Sequence, residues 1–270
     1  MFHMSTSDAV GTKISVIVPV FNQSKLTERC FASLQTNSRL ARELVVIDNH
    51  STDQTPELLD QFKKSFEALG WTMSIIRNEA NQGFGRACNA GIRASSGDFT
   101  VILNNDTWLM PGWDEVLFRR MAKLNVDMIA PYYDESTFDE TETLTKAKHF
   151  IRRNKNKVRP DWVSILMFFR KSTLEKLGLF DERFFVTYED ADLRERMERA
   201  QLRYCQIGDC YIWHFSKGTR GQVEMPSGYE AEGLKLFVDK WGFDPCEEDR
   251  TAHMRIKRRW KKAKAKLGLF

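Results

Sequence analysis

The sequence predicts an α/β protein built on one mostly parallel sheet, and three observations predict it. Short buried runs, "ISVIVPVF", "ELVVID", "MSIIRN" and "FTVIL", alternate with helical stretches. The runs end in polar residues: Asn22, Gln23 and Ser24, then Asp48 and Asn49, then Asn78, then Asn104, Asn105 and Asp106. Strand-helix alternation of this kind implies parallel pairing, which collects the loops at the strands' carboxyl ends, where ligands bind. One polar strand end is a turn; four in succession make a site.

Taken in order, "ISVIVPVF" (14–21) is a β-branched run closed by a helix-start cluster, and Leu26, Cys30, Phe31 and Leu34 then recur at helical spacing. "ELVVIDNHSTD" (43–53) repeats the plan. In the helix "TPELLDQFKKSFEAL", Thr55 suits the cap and Pro56 the first turn. Leu58, Leu59, Phe62, Phe66 and Leu69 make its apolar face. "MSIIRN" (73–78), a helix from Gly83 to Ala94 and "FTVILNND" continue the alternation. "PGWDEVLFRRMAKL" reads as helix and "VDMIAPYY" as strand. Residues 134–160 are charged and poor in large apolar groups, which predicts a mobile loop or hairpin over the site. "WVSILMFFR" resumes buried structure. "EDADLRERMERAQL" is a helix opening with acids, where the macrodipole favours them, and "RYCQIGDCYIWHF" is a strand. The expected division is a flexible N-terminus (1–13), one domain (14–220) and a C-terminal helical extension (221–270).

Composition sets the limits. A chain of 270 residues has room for a substantial core. No apolar run approaches the roughly 20 residues of a spanning helix. "MFHMSTSDAVGTK" lacks the layout of a secretion signal, so a cytosolic protein is expected. The 5 cysteines include no C-x-x-C pair, and Cys205 and Cys210 would face opposite sides of a strand. Reduced, mostly buried thiols follow. The net charge of +4 belongs to the tail, where Arg255, Lys257, Arg258, Arg259, Lys261, Lys262, Lys264 and Lys266 crowd together. The rest of the chain is slightly acidic, which argues against a nucleic-acid partner. In that tail Ile256, Trp260, Ala263, Leu267 and Phe270 fall at helical spacing. A basic amphipathic helix of this kind is expected to lie on an anionic membrane surface; packing on the domain or a partner subunit, or a solvated end, are the alternatives.

"GFGRAC" (83–88) begins like a dinucleotide fingerprint, but Cys88 replaces its third glycine and two strand-helix units precede it. A different set of motifs is more specific. "VIVPVFN", "LVVIDNHSTD", "NQGFGRACNAGI", "SSGDFTVILNNDT" and "FFVTYEDADLRERM", in that order, resemble the family 2 glycosyltransferases of the GT-A fold. In particular they are similar to a bacterial branch that includes rhamnosyltransferase-like enzymes. The resemblance spans about residues 14–215.

The resemblance implies an inverting enzyme that moves a sugar from a nucleotide-diphosphate donor to a hydroxyl of a glycan or lipid-linked acceptor. It implies nucleoside contacts at Pro19, Val20, Asn22, Asp48 and Asn49, then at Asn81, Gly83 and Asn89. A carboxylate such as Asp48 suits the N–H groups of a nucleobase edge, although Asp48 also suits a turn with Ser51 and Thr52. Gly83 and Gly85 suit chain geometry alone. The trio 104–106 takes the place of the family's D-x-D motif, with Asn104 where the first acid stands in relatives. Asp106 is then the expected ligand of Mg²⁺ or Mn²⁺, with Asn104 and Asn105 near the donor's ribose or sugar. In "TYEDADL" (187–193) the match makes Asp190 the general base, with Glu189 and Asp192 as neighbours of the same type. In "WHFSKGT" (213–219) His214 is a candidate second metal ligand and Lys217 a candidate phosphate contact. Trp108 and Trp113 fit either an acceptor sugar or the core. Two other classes stay open: a sugar-nucleotide nucleotidyltransferase, for which "VPVFNQSK" lacks the Gly-rich basic loop, and a non-catalytic GT-A-like interaction module, for which Asn104 speaks.

Overall fold

The computed structural model describes residues 12–134, 140–215 and 228–246. Strand β1 (Ile14–Val20) is buried along its whole length, as a β-branched run covered on both faces should be. Helix α1 (Ser24–Asn37) buries Cys30, Phe31 and Leu34 and leads to β2 (Glu43–Asp48). Helix α2 (Thr55–Ala68) has Pro56 in its first turn. Its cap is Gln54 rather than Thr55, because Asp53 Oδ1 accepts the N–H of Thr55 at 3.0 Å. Leu59 and Phe66 are buried on α2, but Leu69 is 58% exposed. The helix stops one residue earlier, and Trp71 fills that side of the core with its ring 5.0 Å from that of Phe66.

Next come β3 (Thr72–Arg77), α3 (Phe84–Ala94), β4 (Phe99–Leu103) and the short β5 (Thr107–Leu109). They are followed by α4 (Trp113–Leu124), β6 (Met128–Asp134), α5 (Glu140–Asn154) and β7 (Val158–Arg159). The chain continues through β8 (Leu166–Arg170), α6 (Lys171–Leu177), α7 (Glu189–Arg199), β9 (Tyr204–His214) and α8 (Tyr229–Trp241). The described part of the stretch 134–160 is therefore mainly the helix α5 rather than a loop. Helix α5 lays Leu144, Ala147, Phe150 and Ile151 against Trp108, Tyr211 and Trp213. Four apolar side chains on one face suffice for packing, and the charges occupy the other side.

The strands form one sheet in the order β3-β2-β1-β4-β8-β6-β9-β5, with β7 paired to β9. Pairing is parallel from β3 to β4. Beyond β4 the sheet is mixed. β8 runs antiparallel to both β4 and β6, β6 and β9 are parallel, and β5 returns antiparallel on β9. The strand-helix repeat that enforces parallel pairing ends with β4, so the later strands enter in either direction. Cys30, Cys88, Cys205 and Cys210 are buried free thiols and Cys246 is exposed, as the odd count implied. No described helix is long and apolar enough to cross a membrane.

Candidate active site

The chain builds β2 and β3 on one side of β1, then crosses back past it to place β4 on the other. Between β1 and β4 the strand order therefore reverses, and the loops at their carboxyl ends part to leave a crevice. Asp48 closes β2 level with Val20 of β1. The trio 104–106 leaves β4, two strand spacings or about 10 Å away across the sheet.

On the β1–β2 side, most of the polar side chains are spent on the chain itself. Asn22 and Gln23 are left-handed, with φ of 56° and 63°. Asn22 knits two loops together: its N–H donates to Ser51 Oγ at 2.8 Å and its Oδ1 accepts the N–H of Thr52 at 2.7 Å. Asn49, 4% exposed, donates to Asn81 Oδ1 and accepts from Asn78 Nδ2 and the N–H of Gln82. Asn81 also accepts the N–H of Gly83. Pro19 and Val20 are buried in β1, and the Val20 carbonyl accepts the N–H of Asn49 at 2.8 Å. Asp48 differs. It is 3% exposed, and its carboxylate accepts a hydrogen bond from the N–H of Ser51, with acceptor capacity beyond that one bond.

Two of the expected donor contacts, Asn89 and Asn105, are also engaged by the chain. Asn89 is 1% exposed, and its amide clamps residues 180–182. It donates to the Phe180 carbonyl and Glu182 Oε1 and accepts the N–H of Phe180. Asn105 is likewise turned inward, donating to Thr27 Oγ1 at 2.9 Å. Gly83 is required by geometry: φ is 84° and a Cβ there would lie 2.1 Å from the Phe185 carbonyl oxygen. Phe84 N–H bonds that same oxygen at 2.8 Å, so the start of α3 and the segment leading to α7 are sealed together.

The trio 104–106 carries the chain from β4 directly into β5, where Thr107 pairs with His214 of β9. Asp106 and His214 thus become neighbours although they lie far apart in sequence. Oδ1 of Asp106 is 3.3 Å from His214 Nε2. That oxygen is buried without a hydrogen-bond partner among the described residues, and Asn104 Oδ1 is in the same condition. Buried acceptors left unsatisfied are costly unless something else fills them. A carboxylate and an imidazole facing one another fit a divalent cation whose other ligands come from phosphate and water. Among the described residues no cluster of three or more acidic, His or Cys side chains surrounds them. Tyr133, whose ring lies 6.4 Å from that of His214, was not foreseen from the sequence; alternation along β6 turns it away from the buried Tyr132. Trp108 and Trp113 are 8% and 1% exposed and belong to the core rather than to an acceptor surface.

The acidic helix start separates into three roles. Asp192 is fully buried and bonded by Arg196 Nε and Trp241 Nε1. Glu189 is 6% exposed; burial and the charge of Glu189 push the Cys88 thiol well up, which sets that acid against α3. Asp190 is half-buried and accepts a bond from the N–H of Ala191, inside its own first turn. Lys217 and the rest of the loop after Phe215 lie outside the described residues, as does the basic tail.

The reversed strand order, the crevice loops and the mixed outer strands define the GT-A fold. A mannosyltransferase from Pyrobaculum calidifontis, solved with GDP-mannose and Mn²⁺, superposes with a TM-score of 0.62 at 18% identity, covering 90% of this chain and 68% of its own. Residues 15–182 match the profile of Glycosyl transferase family 2, and the chain belongs to that family. The glycosyltransferase GlyA of Streptococcus pneumoniae is 30% identical over 134 residues, 49% of this chain but 18% of GlyA. GlyG of the same organism is 25% identical over 241 residues, 84% of this chain and 79% of GlyG. The chain thus spans a small part of some relatives and most of others.

Proposed function

We propose that the protein transfers a sugar from a nucleotide-diphosphate donor to a hydroxyl of a glycan or lipid-linked acceptor in surface polysaccharide synthesis, with inversion at the anomeric carbon. Support comes chiefly from the unsatisfied buried oxygen of Asp106 facing His214 at the switch-point crevice. Asp48 receives N–H donors of the nucleoside. Asp106 and His214 would hold a divalent cation, which when bound supplies positive charge to the departing diphosphate. Asp190 accepts the acceptor's proton as its oxygen bonds to the anomeric carbon. The bond from that carbon to the phosphate oxygen breaks on the opposite face, and the nucleoside diphosphate leaves with the electron pair. Asn104 Oδ1 faces the same crevice as an uncharged acceptor.

The five ordered motifs together are what favour a rhamnosyltransferase-like branch. A cytosolic location, and contact of the basic tail with anionic lipid, accompany this reading on sequence grounds alone. Asn104 in the place of an acid favours a second reading, a non-catalytic GT-A module. A thermal-shift screen of UDP-, GDP- and dTDP-sugars with and without Mn²⁺, followed by assay of nucleoside diphosphate release, separates the two. Binding raises apparent stability in proportion to ln(1 + [L]/Kd). Mn²⁺-dependent stabilisation with turnover supports transfer. Stabilisation without turnover, or no shift with any donor, overturns transfer and supports the module, whose donor site would be decayed.

A further inference from the structure

The residues matching the family profile end at 182, before α7 begins at Glu189. We infer that the C-terminal helix α8 is part of the catalytic apparatus, with Lys240 and Trp241 acting as positioning residues for the turn that carries Asp190. The inference rests on the reading of Asp190 as general base.

Four observations carry it. Tyr188, the cap of α7, is a bulky residue at φ 66°, a conformation that persists only where the surroundings enforce it. Helix α8 lies directly on that cap. The buried Phe237 ring is 6.0 Å from the Tyr188 ring, and a Cβ on Gly233 would come within 2.5 Å of Thr187 Oγ1. One turn into α7, Asp192 is fixed from α8: Trp241 Nε1 donates to its Oδ1 at 3.0 Å and Lys240 Nζ stands 2.5 Å from the same oxygen. Lys240 also bonds Asp181 Oδ2 at 2.7 Å, tying α8 to the segment that Asn89 clamps onto α3. Asp190 therefore sits between a strained cap and a caged acid, both held from α8. Its own carboxylate is bonded within the turn, so its aim is set by how that turn is seated. Among the described residues, none of these α8 contacts is made to Asp106 or Asp48, so α8 should affect proton removal without affecting the grip on the donor.

The test uses the full chain with the nucleotide sugar selected by the Mn²⁺ screen, and measures the rate of nucleoside diphosphate release and the donor Kd. Lys240→Met and Trp241→Phe should each slow release by about 10- to 100-fold, the penalty of a small misplacement, with donor Kd unchanged. Lys240→Arg should recover much of the rate. Gly233→Ala disturbs the seat sterically without touching a charge and should produce the same split if either of the other variants fails to fold. Wild-type rates in folded Lys240→Met, Trp241→Phe and Gly233→Ala, beside an inactive Asp190→Asn, would overturn the role of α8 alone. So would parallel losses of rate and donor affinity. An active Asp190→Asn would instead overturn the reading on which the inference rests.

Discussion

Two of the corners that bury charge do so in opposite ways. Next to β5, Asp106 keeps an oxygen out of water with no hydrogen-bond partner among the described residues, 3.3 Å from His214 Nε2. Between α7 and α8, Asp192 is buried more completely but is enclosed by Arg196, Lys240 and Trp241. The second arrangement is complete in itself and serves as scaffold. The first is incomplete among the described residues, which supports the proposed ligand site there. The same contrast sorts the amides: Asn49 and Asn89 are occupied by the chain, whereas Asn104 Oδ1 is not.

That contrast breaks or sharpens under substitution. Asp190→Asn removes the proposed base and should lower turnover by about 100- to 10,000-fold with donor affinity unchanged, as read by steady-state kinetics beside calorimetry; wild-type turnover would refute the assignment. Asp192→Asn strips a buried ion cage and should cost about 3–5 kcal/mol of stability in urea unfolding. Asp106→Asn should cost no stability by the same measurement, while weakening Mn²⁺-dependent donor binding. Equal losses from the two variants would erase the distinction between scaffold and site. Asn49→Ala leaves buried loop groups unpaired and should cost about 1–3 kcal/mol, with the loop after β3 becoming more open to proteolysis.

A pH test reaches the same scaffold. Hydrogen bonds from Arg183 hold the Asp181 carboxyl well below the usual carboxylate range against the cost of burial, and Lys240 adds to them. A lowered folded value means stability that is present above about pH 4 and lost as the pH falls toward the folded value. Asp181→Asn should therefore lower Tm at pH 7, with the difference from wild type shrinking as the pH approaches 3. A constant difference would deny the linkage. At the small end, Leu69→Lys should shift stability by no more than about 0.5 kcal/mol, because this side chain lies outside the apolar face it was expected to join.

Local pattern was enough for the first four strands, α1 to α3 and the crevice at their carboxyl ends. Their β-branched runs and 3.6-residue spacing are properties of neighbouring residues. The same kind of signal gave the acidic start of α7 and the strand ending in His214. It misjudged 134–160, where charge on one side of α5 concealed a short apolar face, and it extended α2 by one residue because spacing alone does not say where Trp71 folds back. It did not reveal that the amides of Asn89 and Asn105 are held by the chain, since an amide so held and one awaiting a ligand look alike in sequence.

What the sequence by itself determined is the strand-helix alternation, the positions of the polar strand ends and the acids available for chemistry. Only the tertiary structure decided which of those groups are already satisfied, that Asp106 meets His214 through β5 and β9, and that α8 seats the turn of Asp190. The physical reason is range. Periodicity is written into residues a few positions apart, whereas hydrogen-bond satisfaction and the pairing of buried charge depend on partners brought together from distant parts of the chain.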